Sequence, residues 1–114
     1  MAFEERRWNI VIRRAQEVVE LSLKGILKIG CVGYPKVHNV APLYVKFIEE
    51  KNLKVDEEIL EKIQNVSENL AKERAPAFYG EKIFSEEEAK EAFEGAKEVL
   101  NFVNNLKIKL MKGG

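Results

Sequence analysis

Four stretches of the chain repeat apolar residues every three or four positions, and short polar breaks carrying glycine or proline separate them. None shows the two-residue alternation of a strand. In the first, Trp8, Ile12, Ala15, Val19, Leu23, Ile26 and Ile29 share a face, and Arg13, Glu17, Glu20, Lys24 and Lys28 form a polar stripe. This period predicts a helix from about Phe3 to Ile29, stopped by Gly30 and Gly33. Gly25 inside it costs roughly 1 kcal/mol against Ala, which points to close approach by another helix ahead of mere tolerance. A loop with Pro35, Lys36, His38 and Asn39 follows. Asn39 is the expected N-cap of a short helix reaching about Lys51, with Pro42 tolerated in its first turn and Leu43, Tyr44, Phe47 and Ile48 on its buried face.

The third helix has Asp56 as its cap, with Val55 and Leu60 in the hydrophobic-staple positions and Ile59, Ile63, Val66 and Leu70 along one side. Pro76 disfavours helical geometry in the residue before it, so this helix is expected to end near Ala75. The fourth has the clearest start: Ser85 and Glu88 form an S-x-x-E capping box, with Phe84 and Ala89 as the staple. Ala89, Ala92, Phe93, Ala96, Val99, Leu100, Val103 and Leu106 then make a packing stripe running towards Met111, with small residues first. The pattern predicts an all-α fold, an antiparallel bundle of three long helices and one short one in a single domain over residues 1–114.

Charge changes this picture little. Nineteen basic and nineteen acidic side chains cancel, which removes any overall pull towards nucleic acid or membrane. The halves differ: residues 1–46 hold eight Lys or Arg against four Glu, and residues 47–114 hold eleven against fifteen Asp or Glu, a formal +4 and −4. Cys31 is the single cysteine, so neither an intrachain disulfide nor a cysteine metal cluster is available. The N-terminus begins with charges, and no apolar run approaches the ~18 residues of a membrane span, so a cytoplasmic protein is expected. Fourteen lysines beside two glutamines fit a thermophilic source.

Candidate chemistry is sparse. His38 is the one side chain that ordinarily titrates near neutrality, yet a lone loop histidine more often serves local hydrogen bonds. No second histidine or cysteine stands at metal-ligand spacing, and no cofactor is expected. In KERAPAFYGEK, Arg74 offers a fork for a phosphate and Tyr79 a phenol; the plainer alternative pairs Arg74 with Glu73 or a helix-end carbonyl and buries Phe78 and Tyr79 in the core. Arg6, Arg7, Trp8, Arg13 and Arg14 form a basic cluster with one aromatic, more economically a solvated helix face with Trp8 in the core. Gly30 and Gly33 lack the G-K-[ST] continuation and preceding strand of a phosphate loop.

The segment AQEVVELSLKGILKIGCVGYPKVHNVAPL resembles the HEPN domain, a small helical nucleotide-binding domain of prokaryotes and higher eukaryotes. Gln16, Glu20, Leu23, Lys24, Ile26, Leu27, Gly33, His38, Asn39 and Leu43 fill the places of its central region. The segments ERAPAFYG and EEEAKEAFEGAKEVLNFV look like its closing Arg-and-Tyr segment and final A-x-x-A helix. Family members carry a further long helix before the one that starts here, so the resemblance implies a truncated start or a partner subunit covering the exposed face, and with it a homodimer. Family ribonucleases, including toxins of toxin–antitoxin pairs, use Arg followed after four to six residues by His. Here Arg74 is followed after four residues by Tyr79, and no histidine lies downstream. A phenol near pKa ~10 does not replace histidine in proton transfer at neutral pH.

The resemblance therefore implies a non-catalytic module that binds a nucleotide or a small nucleotidyltransferase partner through Arg74, Tyr79, His38 and Lys36. Two alternatives stand beside it. One is a divergent metal-independent endoribonuclease with Arg74 on the phosphate and His38 as acid or base. The other is a structural helical dimer without ligand.

Overall fold

The computed structural model describes residues 7–30, 32, 33 and 36–112. Four helices account for most of them: α1 Arg7–Ile29, α2 Ala41–Glu50, α3 Glu57–Tyr79 and α4 Glu86–Lys112. There is no strand among the described residues. Helix α1 is central, packing against α2, α3 and α4, and the molecule is an elongated 52 × 25 × 20 Å. Asn9 at the start of α1 bonds both to Ala77 at the end of α3 and to Phe84 just before α4. Helix α3 is therefore antiparallel to α1, and α4 runs parallel to it.

The core follows the predicted stripes. Ile12, Ala15, Val19, Leu23 and Ile26 of α1 are buried with Tyr44, Phe47 and Ile48 of α2 and with Ile63 and Leu70 of α3. From α4, Ala92, Ala96, Val99, Val103 and Leu106 complete the cluster. Ile29, Phe93 and Leu100 are exposed. Ile29 follows buried Ile26 by three residues, Phe93 follows Ala89 by four and Leu100 follows Ala96 by four, so each keeps the helical spacing but stands at the edge of the buried stripe.

The helix ends show which local signals govern. Ser85 and Glu88 bond reciprocally, each backbone N–H meeting the other's side-chain oxygen at 3.1 Å, and Phe84 and Ala89 are buried beside them. Asp56 accepts from the Glu58 N–H at 2.9 Å and caps α3. Three expectations change. The N-cap of α2 is Val40 without a side-chain bond; Asn39 lies one residue earlier, where its carboxamide oxygen accepts the Ser67 hydroxyl at 2.7 Å and, more weakly, the Ala41 N–H at 3.4 Å.

Helix α3 does not stop at Ala75 but runs through Pro76 to Tyr79, with Gly80 in the left-handed conformation as its C-cap. Proline there removes one N–H of the last turn, while that turn is anchored by buried Ala77, whose carbonyl accepts from Asn9, and by Arg13 over the Phe78 ring. Gly25 is approached by nothing within 4 Å, whereas a Cβ at Gly30 would collide with the Phe47 ring. The close contact expected of Gly25 belongs to Gly30. For α1, residues before Arg7 lie outside the described part, and so does the proposed basic residue Arg6.

Candidate functional site

Glu20 and Lys24 of the expected polar stripe, together with Gln16, meet α3 and the loop before α2. Gln16, Glu20 and Lys24 are spaced i, i+4, i+8 and therefore stand in a row along one side of the helix. Gln16 is 2% exposed. Its Nε2 donates to Glu20 Oε1 at 2.7 Å, and its Oε1 accepts from Arg74 Nε on α3 at 3.0 Å. Lys24 Nζ donates to Glu20 Oε2 at 2.7 Å.

His38 reaches the same carboxylate from the loop, with Nδ1 2.8 Å from Glu20 Oε1. Burial by itself would raise the pKa of Glu20, but hydrogen bonds from Lys24, His38 and Gln16 outweigh it and hold the carboxyl below its usual range. An ionised carboxylate only accepts, so in this contact Nδ1 of His38 is the donor. Two residues thirty-six positions apart, His38 and Arg74, are thus brought to one seam through Gln16 and Glu20. Asn39 closes its loop side: Ser67 of α3 donates to the oxygen that also receives the Ala41 N–H at 3.4 Å.

Arg74 uses only Nε in this network, and its remaining guanidinium N–H groups have no partner among the described residues. Lys36 is exposed and likewise makes no hydrogen bond or ion pair among them. Tyr79 is not gathered into the seam: it is 72% exposed and rests edge-on against Phe78, ring centroids 4.9 Å apart. Arg13 stands over the other ring of that pair, 4.4 Å from the Phe78 centroid. The expected burial of Phe78 and Tyr79 in the core is thereby corrected, since Phe78 is half exposed as well.

Arg14 is engaged with Glu17, and Arg7 lies over Trp8, so the N-terminal basic cluster is dispersed over the surface. No group of His, Cys, Asp or Glu among the described residues is arranged to hold a metal ion. None of the helices is long and apolar enough to cross a membrane.

Sequence reasoning singled out His38 and Arg74; it placed Gln16 only in the family resemblance and not between them, and it counted Arg13 in the N-terminal basic cluster rather than over the Phe78 ring beside Tyr79. The signal for Gln16 was its four-residue spacing to Glu20. The HEPN domain model matches residues 1–106. The chain belongs to the HEPN domain family. No significant match was found among curated proteins or among solved structures. Membership accounts for the helical bundle, and the polar seam lies within the matched span of this HEPN domain.

Proposed function

We propose that this HEPN domain is a non-catalytic module that binds a nucleotide, or presents itself to a small nucleotidyltransferase, at the α1–α3 seam. The observation that carries the reading is the bridge from His38 through Glu20 and Gln16 to Arg74. It fixes Arg74 by one N–H and leaves the rest of the fork for phosphate oxygens, the bidentate geometry at which arginine excels. Lys36 adds a cation from the loop that is unpaired among the described residues, and outside the seam Tyr79 offers an exposed aromatic ring on which a base can stack. A homodimer accompanies this reading, supported by the outward apolar residues Ile10, Val18, Leu21 and Ile29 of α1.

Calorimetric titration with ATP tests it. Binding is expected, weakened about tenfold or more in Arg74→Ala. Absence of ATP heat, together with no nucleotidyltransferase recovered on the bait protein from its native lysate, refutes the proposal.

The Glu20–His38 pair favours one second reading. A carboxylate that orients an imidazole beside an arginine is also the arrangement of a general base near a phosphate. In that reading RNA is cleaved in the presence of EDTA, and both His38→Ala and Arg74→Ala abolish cleavage. Cleavage unaltered in these variants removes the reading.

A further inference from the structure

At the opposite part of the bundle, the first turn of α3 and the C-terminal third of α4 leave a pocket of about 300 Å³ beneath α2. Ile59, on its wall, is fifteen residues before Arg74 on α3, about 22 Å along the helix axis. It is a separate place from the polar seam. Ile59, Phe102 and Leu106 give the pocket an apolar lining.

Tyr44 is the unusual member. Its side chain is 1% exposed, and its hydroxyl makes no hydrogen bond to any described residue. Among the described residues no fully buried side-chain oxygen or nitrogen lacks a partner, and Tyr44 is one of the residues that line this pocket. A hydroxyl without a partner among the described residues, on a residue that lines a pocket, is free to bond water or a ligand there.

The rim supplies charge. Lys54 and Lys109 both line the pocket, and neither forms an ion pair among the described residues. Asp56 also lines it, with Oδ1 committed to the α3 cap. Two cations against one carboxylate leave a single formal positive charge, which suits a monoanion. Asn105 adds an amide at the same rim.

We propose that this pocket binds a small amphipathic carboxylate, its apolar body against Phe102 and Leu106 and its carboxylate between the Tyr44 hydroxyl and the Lys54 and Lys109 ammonium groups. Burial pushes the Tyr44 phenol up to about 12, so the hydroxyl is a proton donor throughout the physiological range and matches a group that only accepts.

Benzoate is a suitable probe, followed by amide ¹H–¹⁵N chemical shifts of the full chain, with toluene, inorganic phosphate and phenyl phosphate as comparison arms. Benzoate is expected to bind at roughly millimolar affinity or better and to shift resonances of α2 and of the 102–109 segment. Toluene and inorganic phosphate, each lacking one half of the recognition, are expected to bind more weakly. Tyr44→Phe should weaken benzoate about tenfold, and Lys109→Ala should weaken it in the same direction.

Without ligand, Tyr44→Phe removes a hydroxyl that has no partner among the described residues, so its melting temperature should equal or exceed that of the parent. A lower melting temperature marks a structural hydroxyl and overturns the proposal. So does the absence of benzoate shifts at about 10 mM, an affinity more than an order of magnitude from that expected. Phenyl phosphate binding as tightly as benzoate overturns the carboxylate assignment. Lys54→Ala and Lys109→Ala, both at exposed positions, keep the test decisive even if Tyr44→Phe fails to fold.

Discussion

Replacing Gln16 by Leu tests whether the seam is a held structure or a set of incidental surface contacts. Leucine has nearly the volume of glutamine, so at a position 2% exposed it leaves little cavity and isolates the polar loss. Two bonds disappear, Arg74 Nε to Gln16 Oε1 at 3.0 Å and Gln16 Nε2 to Glu20 Oε1 at 2.7 Å. Each involves one charged partner, a class worth about 1.5–3 kcal/mol. Glu20 keeps Lys24 and His38, and Arg74 is partly exposed so that water replaces what it loses. Those two compensations, set against a gain from burying an apolar side chain, reduce the expected cost to roughly 2 kcal/mol.

Urea unfolding at pH 7 with an unchanged m-value measures the effect. A double-mutant cycle with Arg74→Ala should return a coupling of about 1 kcal/mol, because both changes remove the same bond. A cost under about 0.5 kcal/mol, or strict additivity with Arg74→Ala, refutes the idea that Gln16 holds the arginine. The pH dependence supplies an independent reading. The folded pKa of Glu20 is depressed below 4.5, so its contribution is complete above that value and is lost as pH falls through the folded pKa. In Gln16→Leu one of the bonds that depress it is gone, and this acid-side loss becomes smaller.

Asn9→Ala removes a side chain that donates to the Ala77 and Lys82 carbonyls and accepts from the Phe84 N–H, leaving that N–H buried. A loss of about 3 kcal/mol in chemical denaturation is expected, and faster hydrogen exchange at Phe84; a loss below about 1 kcal/mol contradicts the bridging role. Burial raises the pKa of Glu73, with the Lys82 charge opposing and Glu88 and Glu91 adding to it. The folded protein therefore loses stability as pH climbs from 4.5 through the folded pKa, so Glu73→Gln should melt higher than the parent at pH 7 and lose that advantage below pH 4.5. An equal advantage at both pH values would show that the charge is not its source. Gly25→Ala places a methyl in open space on a helix and should stabilise the monomeric fold by about 0.5–1 kcal/mol in urea titration at low concentration, whereas destabilisation there would mean that a neighbouring surface occupies the space.

The parts of this HEPN domain legible in the sequence are those whose partners lie within one helical turn. Ser85 with Glu88 and Asp56 with Glu58 fix two helix starts through residues two or three positions away, and the expectation for each holds. Pro76 shows the converse: its local preference says stop, and Asn9, sixty-eight residues from Ala77, holds the helical turn beyond it. Tertiary contact outweighs a single lost N–H when that contact is buried. The seam fails to announce itself for the same reason.

Glu20 is eighteen residues from His38 and Gln16 fifty-eight from Arg74, so the row that joins them has only an i, i+4 spacing, which an exposed charge ladder would share. Tyr44 is the limiting case. Its spacing correctly assigns it to the buried face of α2, and burial is all that spacing can report. Whether its hydroxyl finds a partner depends on what α3 and α4 place opposite, and in this fold they place an open volume edged by two lysines that are unpaired among the described residues. Hydrophobic periodicity thus locates the walls of a site, while the polar atoms that those walls leave unmatched define its chemistry.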